Sequence, residues 1–195
     1  MILYYSPGAC SLADHIALEE ADIKFDLEKV DLKTHTLADG RSYYEINPKG
    51  YVPALKLDDG EVLTENVAIL AFIADQYPAL IPPGNFGRYR LLEMLVYIST
   101  EIHKSFHPLF SPHASETTKE EAKAEISRKL EFIVSKLKGP FLFGEKATVA
   151  DAYLFTMLLW SGKQKIKLQE PLRLLVEHMR SRPTVQAALR QEGLL

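Results

Sequence analysis

Cys10 is the one cysteine of the chain, and its neighbours bear on whether it is a small buried hydrophobe or a reactive thiol. A lone cysteine often serves only in packing. Here it follows a short apolar run, Ile2-Leu3-Tyr4-Tyr5, and a turn cluster, Ser6-Pro7-Gly8, and it precedes a helical pattern from Leu12 to Ala21. Backbone N–H groups at a helix start, with the positive end of the dipole, favour a thiolate. Redox proteins of this layout often carry Cys-x-x-Cys at such a turn. This chain reads Cys10-Ser11-Leu12-Ala13, so Ala13 stands where a resolving cysteine would be. An internal dithiol cycle is excluded. Any disulfide chemistry must use an external thiol, which points to a small-molecule thiol as cosubstrate.

Three other groupings carry chemistry. Val52-Pro53 offers the one kind of peptide bond that tolerates cis. A cis bond before a hairpin would leave the Val52 N–H and C=O free to pair with a bound peptide; the plain alternative is a trans proline opening a strand. Glu65-Asn66 lies at a helix start, where N–H groups hold anions and Glu65 can accept from an ammonium, or where the pair simply caps the helix. Both readings can hold together. Ser99 and His103, and likewise Thr100 and Lys104, are i, i+4 neighbours. They form either a polar strip lining a cleft or a surface-facing helix end. In the cleft, His103 would bond to a bound sulfur or act as acid or base, and Lys104 would favour anionic sulfur. His103 and His107 have the spacing of metal ligands, but the intervening Lys-Ser-Phe holds no carboxylate and no third ligand is evident, so no metal is assigned.

These residues must be positioned by two kinds of architecture. Phe25 to Val30 alternates with a period of two, and Lys33 to Ser42 reads as a loop. Ala54 to Leu57 and Glu61 to Leu63 flank Asp58-Asp59-Gly60, a hairpin. A helix follows, with Val67, Leu70, Ala71 and Ala74 on one face. The order β-α-β, loop, β-β-α predicts a four-stranded mixed sheet with helices on its faces. Pro78, Pro82, Pro83 and Gly84 mark a linker at about 78–85. Beyond it only helical patterns occur, at about 86–106, 117–137, 149–162, 171–180 and 184–191. The predicted class is α/β plus all-α. Thr148-Val149-Ala150-Asp151 fits a capping box, with Asp151 in place of the usual Glu or Gln.

The net charge of −3 and the interspersed Lys, Arg, Asp and Glu argue against a nucleic-acid or membrane surface. Hydrophobic residues, at 47%, suffice for a sizeable core. No membrane span and no signal-peptide pattern is expected. A single cysteine makes the fold independent of oxidation, so a reducing cytoplasm is the expected compartment.

Five segments together resemble the bacterial glutathione transferases of the beta class: Tyr4-Tyr5-Ser6-Pro7-Gly8-Ala9-Cys10-Ser11-Leu12, Ile46-Asn47-Pro48-Lys49-Gly50-Tyr51-Val52-Pro53-Ala54-Leu55, Leu63-Thr64-Glu65-Asn66, Ser99-Thr100-Glu101-Ile102-His103-Lys104 and Thr148-Val149-Ala150-Asp151-Ala152-Tyr153. The resemblance spans essentially the whole chain. It implies a thioredoxin-like glutathione-binding domain over 1–78 and an all-helical domain over 86–195 that completes the electrophile site and a homodimer interface. It implies glutathione as cosubstrate and no cofactor. Cys10 and His103 become the catalytic pair. Val52 would bind the cysteinyl backbone of glutathione across a cis-Pro53, and Glu65 and Asn66 the γ-glutamyl end. Thr100, Glu101, Ile102 and Lys104 would complete the pocket, with Glu101 reaching across the dimer. His35 stands where the family often has a lysine on the glycyl carboxylate, with Lys33 as a nearby substitute. Val96 stands where an asparagine is common. The second substrate would be a small hydrophobic electrophile or a disulfide, its pocket shaped by the turn after Ala9, Phe106 to Phe110 and the helix around Trp160. Conjugation and thiol exchange through Cys10 both remain open, as does a non-enzymatic ligand carrier or interaction module on the same fold.

Overall fold

The computed structural model describes residues 1–195. Strand β1 (Ile2–Tyr5), helix α1 (Leu12–Glu20) and strand β2 (Asp26–Asp31) form the first unit. β1 and β2 pair in parallel, Leu3 opposite Leu27 and Tyr5 opposite Lys29. A parallel pair cannot be closed by a tight turn, so α1 is the crossover. β4 (Ala54–Lys56) and β5 (Val62–Thr64) form the expected hairpin, and β4 runs antiparallel to β1. Helix α2 (Asn66–Gln76) returns over the sheet.

The sheet has five strands, not four, in the order β3-β2-β1-β4-β5. The extra strand is β3 (Thr36–Leu37), inside the segment expected to be loop. It folds back on β2, Val30 opposite Leu37 and Asp31 opposite Thr36. Two residues are too few to show an alternating pattern, and the pairing depends on burying Leu37 beside Val30, Tyr4 and Tyr43.

The chain then passes through a single 3-10 turn (Pro78–Leu80) into helices α3 (Gly87–Tyr97), α4 (His107–Phe110), α5 (Glu116–Lys136), α6 (Val149–Lys163), α7 (Glu170–Ser181) and α8 (Pro183–Gln191). Gly87 is fixed by close approach. A Cβ there would lie 1.8 Å from the Pro82 carbonyl oxygen, so any other residue would push the linker off α3. The expected helix over 86–106 is not uniform. Between α3 and α4, Ile98–His103 is wound as a π-helix. No helix is long and apolar enough to cross a membrane.

The larger core is continuous through both halves. Leu3, Ile16 and Ile69 belong to it, as do Leu91, Phe155 and Leu189. Helix α6 runs through its centre. Asp151 is fully buried at its first turn and accepts from the N–H of Leu142 (2.7 Å), the N–H of Thr148 (2.8 Å) and the Thr148 hydroxyl (2.8 Å). The expected capping box is formed, and it also ties the preceding loop to the helix.

Candidate functional site

Cys10 sits on the turn that links β1 to α1. Gly8 takes φ +68°, a conformation open to glycine at little cost. Ser11, fully buried, closes the turn by accepting from the Ser6 N–H (3.3 Å). Two residues of the helical half hold the turn from outside. The Trp160 indole N–H donates to the Gly8 carbonyl (2.8 Å), and the Gly8 N–H donates to Glu192 Oε2 (2.8 Å). Glu192 is fixed in turn by His15 Nδ1 (2.9 Å), whose Nε2 meets Gln191 Oε1 (2.6 Å).

A cavity of about 320 Å3 opens beside Cys10, lined by that residue, Val52, Glu65, Asn66, Ser99 and His103 among others. Val52-Pro53 is cis. The Val52 carbonyl accepts from Cys10 Sγ (3.3 Å), while its N–H has no partner within the chain. Glu65 takes φ +73° at the start of α2 and is exposed. Its carboxylate accepts from Lys49 Nζ and from the Tyr51 hydroxyl (3.0 Å), and the Lys49 bond first of all holds it below the usual range.

The helix start does not make Cys10 a resting thiolate. Burial pushes the thiol up to about 12, the Asp14 carboxyl adds to the shift, and the N–H groups of Cys10 and Ser11 offset only part of it. No cation counters the desolvation, because Lys104 is exposed and does not line the cavity. That corrects the expectation that Lys104 supports an anionic sulfur from within the pocket.

His103 does face the cavity, carried there by the π-helical turn. Ser99 and His103, four residues apart at this turn, line the cavity, while Thr100 and Lys104 are exposed. The Thr100 hydroxyl bonds back to the Val96 carbonyl (2.9 Å). Ile102 is fully buried in the core. Glu101 is held by Lys129 of α5 (3.1 Å). None of Thr100, Glu101, Ile102 and Lys104 lines the cavity of the single chain. Val96 is exposed and does not line it either.

The remaining predicted residues are placed as follows. Asn66 lines the cavity, but its side-chain amide donates to the Cys10 carbonyl (2.9 Å) and Asp14 Oδ2 (3.1 Å). It braces the Cys10 turn and leaves its backbone N–H, an orphan donor of the first turn, for a ligand. His35 lies outside the cavity, its Nδ1 on the Gly50 carbonyl (2.8 Å) and its ring on Tyr44. With Nδ1–H so engaged, only the doubly protonated ring has a second N–H to offer a carboxylate. Lys33 is exposed. His107 is exposed as well, and no three His, Cys, Asp or Glu residues lie close enough to hold a metal.

Sequence reasoning missed Tyr153. It lies in a quoted segment, but no spacing marks it as a partner of a residue 50 positions earlier. Its hydroxyl meets His103 Nδ1 at 2.6 Å. Burial raises the phenol further above its ordinary range, so it remains protonated. Burial also lowers His103 to about 4. A protonated phenol donating to a neutral ring assigns the ring proton to Nε2. His103 resonances are therefore expected to stay unchanged in an NMR titration from about pH 8 to pH 5; a midpoint near the ordinary 6.5 would reveal a solvated ring. The Trp160 ring packs edge-on to His103 (5.1 Å), Phe106 (5.4 Å) and Phe110 (4.9 Å). An aromatic wall thus adjoins the ring of His103.

The arrangement offers backbone groups for an extended peptide, a carboxylate for an ammonium, a thiol, an imidazole N–H and an apolar wall. The chain as a whole is similar to known proteins. The family model described as Glutathione S-transferase, N-terminal domain, matches residues 9–76, and that described as Glutathione S-transferase, C-terminal domain, matches 97–183. The chain is 46% identical to glutathione S-transferase GstA of Escherichia coli O157:H7 over the full length of both. It is 36% identical to glutathione S-transferase GST-4.5 of Xanthomonas campestris pv. campestris, again over both full lengths. Among solved structures it is similar to BphK, a bacterial glutathione transferase in a ternary complex, at 46% identity and TM-score 0.95 with both chains fully covered. A sphingomonad glutathione S-transferase complexed with glutathione matches at 44% identity and TM-score 0.93, also over both full chains.

Proposed function

The chain belongs to the glutathione S-transferase family, and from that premise we propose that it joins glutathione to small hydrophobic electrophiles in the cytoplasm as a homodimer. The observation that carries this reading is the unpaired Val52 N–H in a cavity shared by Cys10, Glu65 and His103. Val52 would pair with the cysteinyl residue of glutathione as one strand pairs with another. Glu65 would take the γ-glutamyl ammonium, sharing its carboxylate with Lys49, and the Asn66 N–H would meet the γ-glutamyl carboxylate at the head of α2. His35 or Lys33 would meet the glycyl end, as the resemblance implies. Large exposed apolar side chains on neighbouring helices, Phe86, Tyr89 and Val96 near or on α3 and Phe132 on α5, support a second copy against this face. Thr100, Glu101 and Lys104 would then act from the rim or through the partner, whereas Ile102 packs in the core.

Peptide pairing at Val52 has a chemical consequence. When the cysteinyl N–H of glutathione pairs with the Val52 carbonyl, the Cys10 thiol can turn from that oxygen to donate to the incoming sulfur. The His103 Nε2–H is a second donor. The glutathione thiol releases its proton to water, the thiolate attacks the electrophilic carbon, and the leaving group departs with the bonding pair. The protein's part is to place the two reactants together and stabilise the anionic sulfur by hydrogen bonds. Thiol exchange is the second reaction of the same site: Cys10 takes one sulfur of a disulfide, the other leaves as a thiolate, and a glutathione thiolate then releases Cys10.

Calorimetry with glutathione and turnover of 1-chloro-2,4-dinitrobenzene test the reading. Saturable binding with turnover is expected. Neither binding nor thiol-dependent turnover would favour the carrier or interaction module. Replacing Glu65 by alanine is expected to weaken glutathione binding about tenfold, the worth of one charge-assisted hydrogen bond. Unchanged affinity would remove Glu65 from the site.

A further inference from the structure

Two aspartates of the chain are fully buried, Asp14 and Asp151. Asp151 accepts from three donors. Asp14, on the first turn of α1 and one turn after Cys10, is far less well supplied. The Asn66 amide donates to its Oδ2 (3.1 Å), and its Oδ1 has no hydrogen-bond partner. That single side-chain donor is neutral. The elements packed around α1 bring no lysine or arginine to pair with it. From the head of α2 comes Glu65, an acid already held by Lys49. From α6 comes the protonated phenol of Tyr153. From just past α8 comes Glu192, turned to the Gly8 N–H and to His15. His15, next along α1, faces Glu192 and Gln191 instead. Burial pushes the Asp14 carboxyl well above its ordinary range; its own N–H offsets part of this, and the Glu192 carboxylate adds to it. An ionised carboxylate with one oxygen unpaired and no cation is a costly buried state, and a neutral carboxyl avoids it.

The Asn66 amide that reaches Asp14 also donates to the Cys10 carbonyl (2.9 Å). Through one side chain Asp14 thus ties the head of α2 to the turn that carries the thiol. We propose that Asp14 is a positioning residue of the glutathione site that works as a neutral acid: it holds Asn66 against the Cys10 turn, and its retained proton keeps a negative charge away from the reacting sulfur. This role rests on the assignment of the Cys10 cavity to glutathione, which brings a thiolate and a γ-glutamyl carboxylate there. An ionised Asp14 would repel both. Its charge is felt by the Cys10 thiol only at pH values where Asp14 itself has lost its proton.

The proton is read with Asp14→Asn, which keeps the shape and an acceptor for the Asn66 amide. In the infrared difference spectrum of wild type against this variant at about pH 7, the wild type is expected to show the carbonyl band of a protonated carboxyl. Alkylation of Cys10 by iodoacetamide at the same pH is expected to agree between the two within about threefold. Carboxylate bands in place of the protonated band, or a larger rise in alkylation in the variant, overturn the neutral acid. The positioning role is read with Asp14→Leu, which removes the acceptor. Its KM for glutathione is expected to rise about tenfold with kcat within about threefold, and Asp14→Asn is expected to restore KM. A wild-type KM in the leucine variant, or an asparagine variant as impaired as the leucine one, overturns that role. The infrared and alkylation measurements need neither the leucine variant nor bound glutathione, so a poorly folding Asp14→Leu leaves the test intact. Calorimetry of the wild type with glutathione reads the assignment of the cavity separately, so failure of one reading is distinguishable from failure of the other.

Discussion

Replacing Cys10 by alanine is expected to abolish the gain of one glutathione on exposure to oxidised glutathione, and glutathione-dependent disulfide reduction with it, yet to leave aryl-halide conjugation within about tenfold of the wild type. The asymmetry follows from which sulfur attacks, that of Cys10 in exchange and that of glutathione in conjugation. Burial holds the thiol at about 12, so at pH 7 only about one chain in 10⁵ carries the thiolate that exchange requires. In conjugation the attacking sulfur belongs to glutathione, and Cys10 supplies at most one hydrogen bond, worth about 1 kcal/mol. Intact mass after oxidised glutathione reads the first half, and turnover of 1-chloro-2,4-dinitrobenzene reads the second. A conjugation rate cut more than about a thousandfold would make Cys10 indispensable to both reactions. The same sulfur gives a pH signature. Alkylation by iodoacetamide is expected to climb about tenfold per pH unit from about pH 7 to pH 9. A plateau below pH 9 would mean that a cation reaches Cys10 after all.

Asp151→Ala is expected to lower the melting temperature by about 10 °C or more while changing glutathione affinity per folded molecule little. The side chain touches no part of the Cys10 cavity. Its removal strands two buried backbone N–H groups, of Leu142 and Thr148, and the Thr148 hydroxyl. Buried unsatisfied donors cost about 1–3 kcal/mol each, so a total near 4 kcal/mol is the expected scale. The pH dependence follows from burial, which outweighs the three donors and pushes the folded carboxyl from 3.8 up to about 6. Between those values the folded chain holds a proton that the unfolded chain has lost, so wild-type stability falls as pH rises through that window. Alanine has no such term. The advantage of the wild type over the variant is therefore widest near about pH 4 and shrinks by up to about 3 kcal/mol by pH 7. Urea midpoints of both proteins at the two pH values check it, and a gap that widens with rising pH would reverse the assigned sign.

Features governed by short spacings were legible before the structure. The strand, turn and helix around Cys10, the hairpin from Ala54 to Leu63, and the capping box at Thr148 each need only neighbours within a few residues. Their residue types reflect local geometry: glycine at a left-handed turn, alternating apolar residues on a strand, and a side-chain acceptor at a helix start. The site residues that lay on such features, Cys10, Val52, Glu65 and Asn66, all meet at one cavity. What stayed hidden depends on longer range or on a departure from regular geometry. A π turn has no sequence period of its own, and two i, i+4 pairs on neighbouring faces did not reveal that Ser99 and His103 meet the cavity while Thr100 and Lys104 do not. Tyr153 reaches His103 from a different helix. The thiol was expected to be acidic because a helix start is visible in sequence, whereas the desolvation that outweighs it is a property of the packed whole.

The bond from the Gly8 N–H to Glu192 spans 184 residues, and it has a consequence for biosynthesis. The turn that carries Cys10 leaves the ribosome well before the carboxylate that fixes it. Trp160, its other anchor, also arrives late. Until both have been made, the sheet half can pair its strands while its thiol loop lacks both external supports. Assembly of the reactive pocket is thus timed by the emergence of Glu192, just past α8, rather than by folding of the half in which the cysteine resides.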